Sequence, residues 1–304
     1  MPIPHVRFGL QLRNADALRL VAGPGAETWL QVFAGVMGLK DQGKTSWPAI
    51  HFFQGGEEKA DVGTTTLKRL ERAAEKELPA TGWVPREARL LRVWSHADRK
   101  DLLCELAKVD SPEEKAIQMR NAGHVVHQQA LPGGGVFFHA ALVRKGPKAV
   151  LIAGPSGLGK STCVRRLPEP WVALCDDSAL VVKDRTGTYW AHPFPTWSEL
   201  QNGVYEKIWE VQAAVPLGAV FFLYKAEGDR ALPVGQSRVL YLVFRMMQVL
   251  NRNMSPYRDR HERMETHKVL FDNALHLARA APGFSLGVSR TGRFWEEMEK
   301  VIDF

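Results

Sequence analysis

The chain has 304 residues, 45% hydrophobic and 24% charged, so it can bury a full core and reads as a globular protein of one or two domains. Its formal charge of +7 suits phosphate-bearing or acidic partners, but a solvated basic surface gives the same number, and no nucleic-acid-binding motif accompanies it. Three cysteines (Cys104, Cys163, Cys175) without a C-x-x-C argue against a disulfide framework or zinc ribbon. No signal-peptide h-region and no bilayer-length apolar run occur, so a soluble cytoplasmic protein is expected.

Residues 1–110 read as an α+β accessory domain. Residues 6–12 alternate like a half-buried strand, 27–39 carry apolar residues at helical spacing, and 50–53 and 89–94 read as strands. Residues 64–76 form a charged surface helix. His51 and His96 are lone histidines and read as structural.

A second domain, 111–304, opens on Ser111-Pro112-Glu113-Glu114. Ser111 can cap a helix, Pro112 suits its first position, and Glu114 completes a capping box; the helix runs to about residue 129. His124 and His127 lie i, i+3 on it, a spacing that could hold a metal, but no third ligand is evident. Pro132-Gly133-Gly134-Gly135 breaks the chain. Residues 136–143 then read as a strand that turns at Lys145-Gly146-Pro147-Lys148 into a second strand, 149–153.

That second strand leads into Gly154-Pro155-Ser156-Gly157-Leu158-Gly159-Lys160-Ser161-Thr162, which fits the phosphate-binding P-loop pattern, with a short helix after it. The glycines let successive N–H groups curl around an anion, and the helix N-terminus adds partial positive charge. Lys160 would reach the β- and γ-phosphates of ATP and Ser161 would hold Mg2+, with Gly154, Ser156, Gly157, Gly159 and Thr162 completing the cradle.

Phosphoryl transfer also needs a metal ligand, a group that orients or deprotonates the acceptor, and positive charge for the phosphate oxygens. Asp176 and Asp177 close an apolar strand that begins at Trp171, where a Walker-B aspartate would sit; a pair there can divide labour, one near metal and one facing the acceptor hydroxyl. A hairpin (179–182 and 188–190), a strand (219–223), helices (236–251 and 262–280), a strand (284–288) and a last helix (294–301) follow. Tyr224-Lys225-Ala226-Glu227 is no guanine-recognition motif, and the apolar run 239–244 ends in Arg245 rather than Asp-Glu, which disfavours a GTPase and a transporter ATPase.

The combination of His139-Ala140, Gly-x-Ser-Gly-x-Gly-Lys-Ser and Asp176-Asp177 resembles the catalytic domain of HPr kinase/phosphorylase, an α/β P-loop fold related to phosphoenolpyruvate carboxykinase. A closer resemblance is to the HPr-kinase-like proteins of peptide-modification cassettes, of the SynChlorMet cassette protein ScmC type. It rests on Arg165-Arg166-Leu167-Pro168, Leu174-Cys175-Asp176-Asp177, the run from Ala191 through His192 and Trp197 to Ser198, and Phe294-Trp295-Glu296. It implies an ATP- and Mg2+-dependent kinase acting on a serine or threonine hydroxyl of a ribosomally made precursor peptide. A peptide-recognition protein of the same cluster is a further implied partner, and neither nucleic acid nor membrane is.

By the same resemblance Lys160 and Ser161 hold phosphate and Mg2+, Asp176 is the general base, Asp177 lies near metal or phosphate, and His139 packs beside the transferred group. Glu199 is the candidate second metal ligand; His192 could contact phosphate and Trp197 belongs to the core. The family's Leu-Glu-x-Arg-Gly-x-Gly signature is missing, so reverse phosphorylase activity and docking to HPr are not implied. Arg245, Arg252 and the 258–263 cluster could bind an acidic peptide or phosphate, or be a solvated charged segment. HPr-type or free-amino-acid acceptors, and a non-catalytic nucleotide-binding module, stay open.

Overall fold

A computed structural model describes residues 6–43, 45–55, 62–201, 207–252 and 260–304. The first part is a seven-stranded sheet: β1 (Arg7–Gln11), β2 (Ala17–Ala22), β3 (Lys40–Asp41), β4 (Ala49–Gln54), β5 (Trp83–Ala88), β6 (Leu91–His96) and β7 (Arg99–Leu106), in the order β3-β1-β2-β4-β7-β6-β5. Helix α1 (Glu27–Val36) carries the crossover between the parallel strands β2 and β4, and α2 (Thr64–Ala74) lies between β4 and β5. The strand expected at residue 89 starts at Leu91, because Leu90 sits at φ 66° in the turn joining β5 to β6.

Helix α3 (Pro112–Ala130) links the two parts. Ser111 Oγ accepts the Glu114 N–H at 3.1 Å. The Glu114 carboxylate accepts from the Asp110 N–H at 3.4 Å rather than from Ser111, so the capping box closes one residue early. Gln118 and Asn121, both buried on α3, donate to the carbonyls of Leu90, Ala107 and Arg89, which ties the helix to the first sheet.

The second sheet contains β8 (Val136–Phe138), β9 (Ala140–Lys145), β10 (Lys148–Ala153), β11 (Val172–Cys175), β12 (Ser178–Lys183), β13 (Tyr189–Phe194), β14 (Val215–Lys225), β15 (Arg230–Val234) and β16 (Gly283–Val288). The eleven-residue β14 splits it. Its first residues pair with β13, which continues through β12 to β8; its last residues lie between the parallel strands β10 and β16. Side-chain alternation gives this sheet two apolar faces. Val150, Ile152 and Phe221 meet α4 (Lys160–Arg166) and α7 (Phe294–Val301) through Cys163, Phe294 and Met298. Leu142, Leu151 and Val220 belong to the cluster that holds Val239, Val243 and Leu270 of α5 (Gln236–Arg252) and α6 (Arg260–Ala280).

That larger cluster also contains the α1 core, so the two sheets share one apolar interior. Phe33 of α1 stacks on Trp197 with ring centroids 5.6 Å apart. The N–H groups of Trp209 and Val211 donate to the carbonyls of Val36 and Met37. His192 adds a polar link: its Nδ1 lies 2.7 Å from the Val211 carbonyl, and its Nε2 accepts the Arg13 N–H at 3.2 Å. The ring is wholly buried and both nitrogens are occupied, so His192 joins the two parts of the chain and is not available to a phosphate.

Candidate active site

Two chain crossings build the site. β8 belongs to the β12 side of the split sheet and β9 to the β10 side; His139 is the residue between them. β11 pairs with β9 and β12 pairs with β8, so the chain makes the same change of side at Asp176-Asp177. The two crossings are therefore neighbours, and His139 Nε2 lies 3.5 Å from Asp177 Oδ1. The single strand expected over 136–143 is in fact broken at His139 for this reason.

The P-loop follows β10, two strands away from β11. Gly157 and Gly159 take φ values of 76° and 111°, a region that a residue with a Cβ enters only under strain. Lys160 is buried, and its ammonium donates to the carbonyls of Gly154 at 2.8 Å and Pro155 at 3.2 Å. Burial lowers its pKa, while Asp177 and Asp176 act in the opposite direction. Burial likewise lowers the His139 pKa; Asp177 opposes this and Lys160 adds to it, which favours a neutral imidazole.

The two aspartates face different spaces. Asp176 borders a cleft of about 210 Å³ together with Ser161, Arg165, Glu199 and Lys207. Its Oδ1 accepts the hydroxyl of Thr196, a buried residue of the 191–198 run. Asp177 borders a separate cavity of about 380 Å³ with His139 and Ser156 at one end, and His124 and His127 of α3 among its walls. Asp176 thus shares a cleft with Ser161, and Asp177 shares a cavity with Ser156 and His139, so each aspartate faces part of the P-loop. Glu199 is exposed and pairs with Lys207 at 3.0 Å, within the Asp176 cleft. Thr162 lines a third hollow, of about 410 Å³, with Gly157, Gly159, Tyr224, Lys225 and Arg290.

These residues fit a magnesium nucleotide. A buried ammonium whose partners are two backbone carbonyls is a cation placed for an anion, and the loop around it leaves open space at Gly157 and Gly159. Ser161, Asp176 and Glu199 offer oxygen donors, the type Mg2+ takes. Among the described residues no group of three or more His, Cys, Asp or Glu is placed to hold a metal.

Of the other expected features, Trp197 is core, stacked on Phe33 and packed 3.2 Å from where a Cβ on Gly123 would lie. His96 Nδ1 accepts the Asp98 N–H, and His51 is wholly buried in the first sheet. Arg245, Arg260 and Arg263 are exposed, while Glu262 pairs with Arg86; Arg258 and Asp259 lie outside the described residues. All three cysteines are free and buried. No helix among the described residues is long and apolar enough to cross a membrane.

The family described as SynChlorMet cassette protein ScmC matches residues 102–303, from the last strand of the first sheet to the chain end. No curated protein matches the chain.

Proposed function

We propose that this chain, which belongs to the SynChlorMet cassette protein ScmC family, is an HPr-kinase-like kinase that transfers the γ-phosphoryl group of ATP to a serine or threonine hydroxyl, with a ribosomally made precursor peptide as acceptor. The observation that carries this reading is the pair of neighbouring crossings that hold His139, Asp176 and Asp177, with a P-loop serine lining the cavity on each side.

ATP with Mg2+ supplies the transferable phosphoryl group and neutralises part of its charge. The buried Lys160 ammonium would turn from the Gly154 and Pro155 carbonyls to the phosphate oxygens, and the P-loop N–H groups would surround them. Ser161 and Asp176 would hold Mg2+, and the Thr196 hydroxyl fixes the Asp176 carboxylate by donating a hydrogen bond to it. Asp177 faces the opposite cavity, where it orients the acceptor hydroxyl and takes its proton; an unactivated hydroxyl is almost never ionised at neutral pH, so a positioned base is required. His139 Nε2 lies 3.5 Å from the Asp177 carboxylate and borders the same cavity, beside the position of the transferred group.

The two asparagine variants test this assignment. Asp177→Asn should retain ATP and Mg2+ binding by calorimetry while transfer falls by about a hundredfold or more. Asp176→Asn should weaken the Mg2+ dependence itself. The opposite pattern would return the base to Asp176, and full transfer in both variants would remove the aspartates from the mechanism.

A further inference from the structure

Of the three hollows that the P-loop borders, the one of about 410 Å³ takes no part in the phosphoryl transfer proposed above. It lies at the carboxyl ends of the parallel strands β10, β14 and β16: Gly157, Gly159 and Thr162 follow β10, Tyr224 and Lys225 end β14, and Arg290 follows β16. Ligands of open parallel sheets bind beyond such ends. The walls are tied to one another. Arg166 of α4 donates to the carbonyls of Ser289, at 2.8 Å, and of Gly292. Asp229 accepts the Ser289 N–H at 2.6 Å, and the Ala226 N–H donates to the Val288 carbonyl at 3.1 Å. Because α4 starts at Lys160, these bonds hold the loops after β14 and β16 in place beside the phosphate cradle.

We infer that this hollow receives the nucleoside of the phosphoryl donor, held by Lys225 and Arg290, and that it accepts adenine and guanine alike. This rests on the kinase reading for the phosphate end of the nucleotide. Both other hollows contain carboxylates, Asp177 in one and Asp176 with Glu199 in the other, which suit the acceptor hydroxyl and the metal. Among the described residues no Asp or Glu lines this one, and its two exposed cations, Lys225 and Arg290, have no carboxylate partner. Free cations beside the apolar side chains of Leu158, Leu223 and Val288 suit a planar aromatic ring, on which a guanidinium stacks. The volume lies within the range of small-molecule pockets, about 300–1,000 Å³. Lys and Arg only donate hydrogen bonds. Purine N7 accepts in adenine and guanine both, so these donors read what the two bases share. Selecting guanine through its N1–H and 2-amino group needs an acceptor, and the carboxylate that would serve is missing from the lining.

Calorimetry with Mg-ATP, Mg-GTP and Mg-tripolyphosphate tests this, since tripolyphosphate reads the phosphate cradle without a nucleoside. The wild type should bind ATP at least about tenfold more tightly than tripolyphosphate, and GTP within about tenfold of ATP. Arg290→Ala removes an exposed side chain and leaves the bonds between the walls intact. It should weaken ATP and GTP by about tenfold with tripolyphosphate unchanged. The double variant Lys225→Ala/Arg290→Ala should erase the advantage of nucleotide over tripolyphosphate. Tripolyphosphate bound as tightly as ATP by the wild type, or an equal loss of both ligands in the variants, would overturn the inference and leave the kinase reading standing. A preference of more than about tenfold for either purine would overturn the shared acceptance of the two bases. Binding of neither ATP nor tripolyphosphate would remove the kinase reading and the inference with it.

Discussion

Acidification should unfold this protein earlier than its carboxylates alone require. His51, His127 and His192 are at most 3% exposed. Burial lowers the pKa of His51 to about 4 and of His192 to about 4, and that of His127 well below 6.5. In the unfolded chain each titrates near 6.5, so below that pH the unfolded state binds protons that the folded state refuses, and stability falls as pH falls. Near pH 7 the penalty is small. By pH 5.5 each of the three costs about 1.4 kcal/mol, together about 4 kcal/mol, against a total stability of about 5–15 kcal/mol for a typical domain. His124, whose pKa is lowered to about 3, acts in the same direction. Urea midpoints measured at half-unit steps from pH 7.5 to 5 should decline steadily below about 6.5, and His127→Phe should reduce the slope by one proton. A flat profile down to pH 5.5, or an unchanged slope in His127→Phe, would refute the assignment of these rings as buried and neutral.

Thr196→Val preserves shape and removes the hydroxyl that Asp176 accepts; partners of metal ligands typically carry about ten- to a hundredfold in metal affinity, so the Mg2+ concentration for half-maximal ATP hydrolysis should rise by that factor. An unchanged Mg2+ profile would take Asp176 away from the metal. Phe33→Ala removes the ring stacked on Trp197 and should cost about 3–5 kcal/mol, with both sheets still melting in one transition. Two separated transitions in calorimetry would mean that the parts before and after residue 110 are independent domains.

The local signals in the chain were legible where a pattern is self-contained. The Ser111 cap, the hairpin at Gly146, the P-loop and the hairpin around Asp184 depend on neighbours in sequence and fall where the pattern puts them. β2 was not legible: Arg19, buried within it, interrupts an otherwise apolar run. β5 and β7 are obscured by Arg86, Glu87 and Glu105, charged residues that pair across strands and to α6. β15 contains Pro233, which only an edge strand tolerates. Within the site, residue types pointed to His139, Asp176 and Asp177, but not to the breaks between strands that set them apart, since alternation is blind to a chain changing sides of a split sheet. The i, i+3 histidines of α3 read as an incomplete metal pair because only tertiary packing shows the cavity they wall. His192 read as a phosphate contact because its partners, Arg13 and Val211, are remote in sequence.

Intact-mass spectrometry of a serine- or threonine-containing precursor peptide, after incubation with the wild type, ATP and Mg2+, tests the proposed peptide-kinase activity most directly, with Lys160→Ala as control. The account predicts a gain of one phosphate on a serine or threonine with the wild type and none with the variant. An unmodified peptide alongside demonstrated ATP binding would contradict a peptide kinase and favour a nucleotide-binding module.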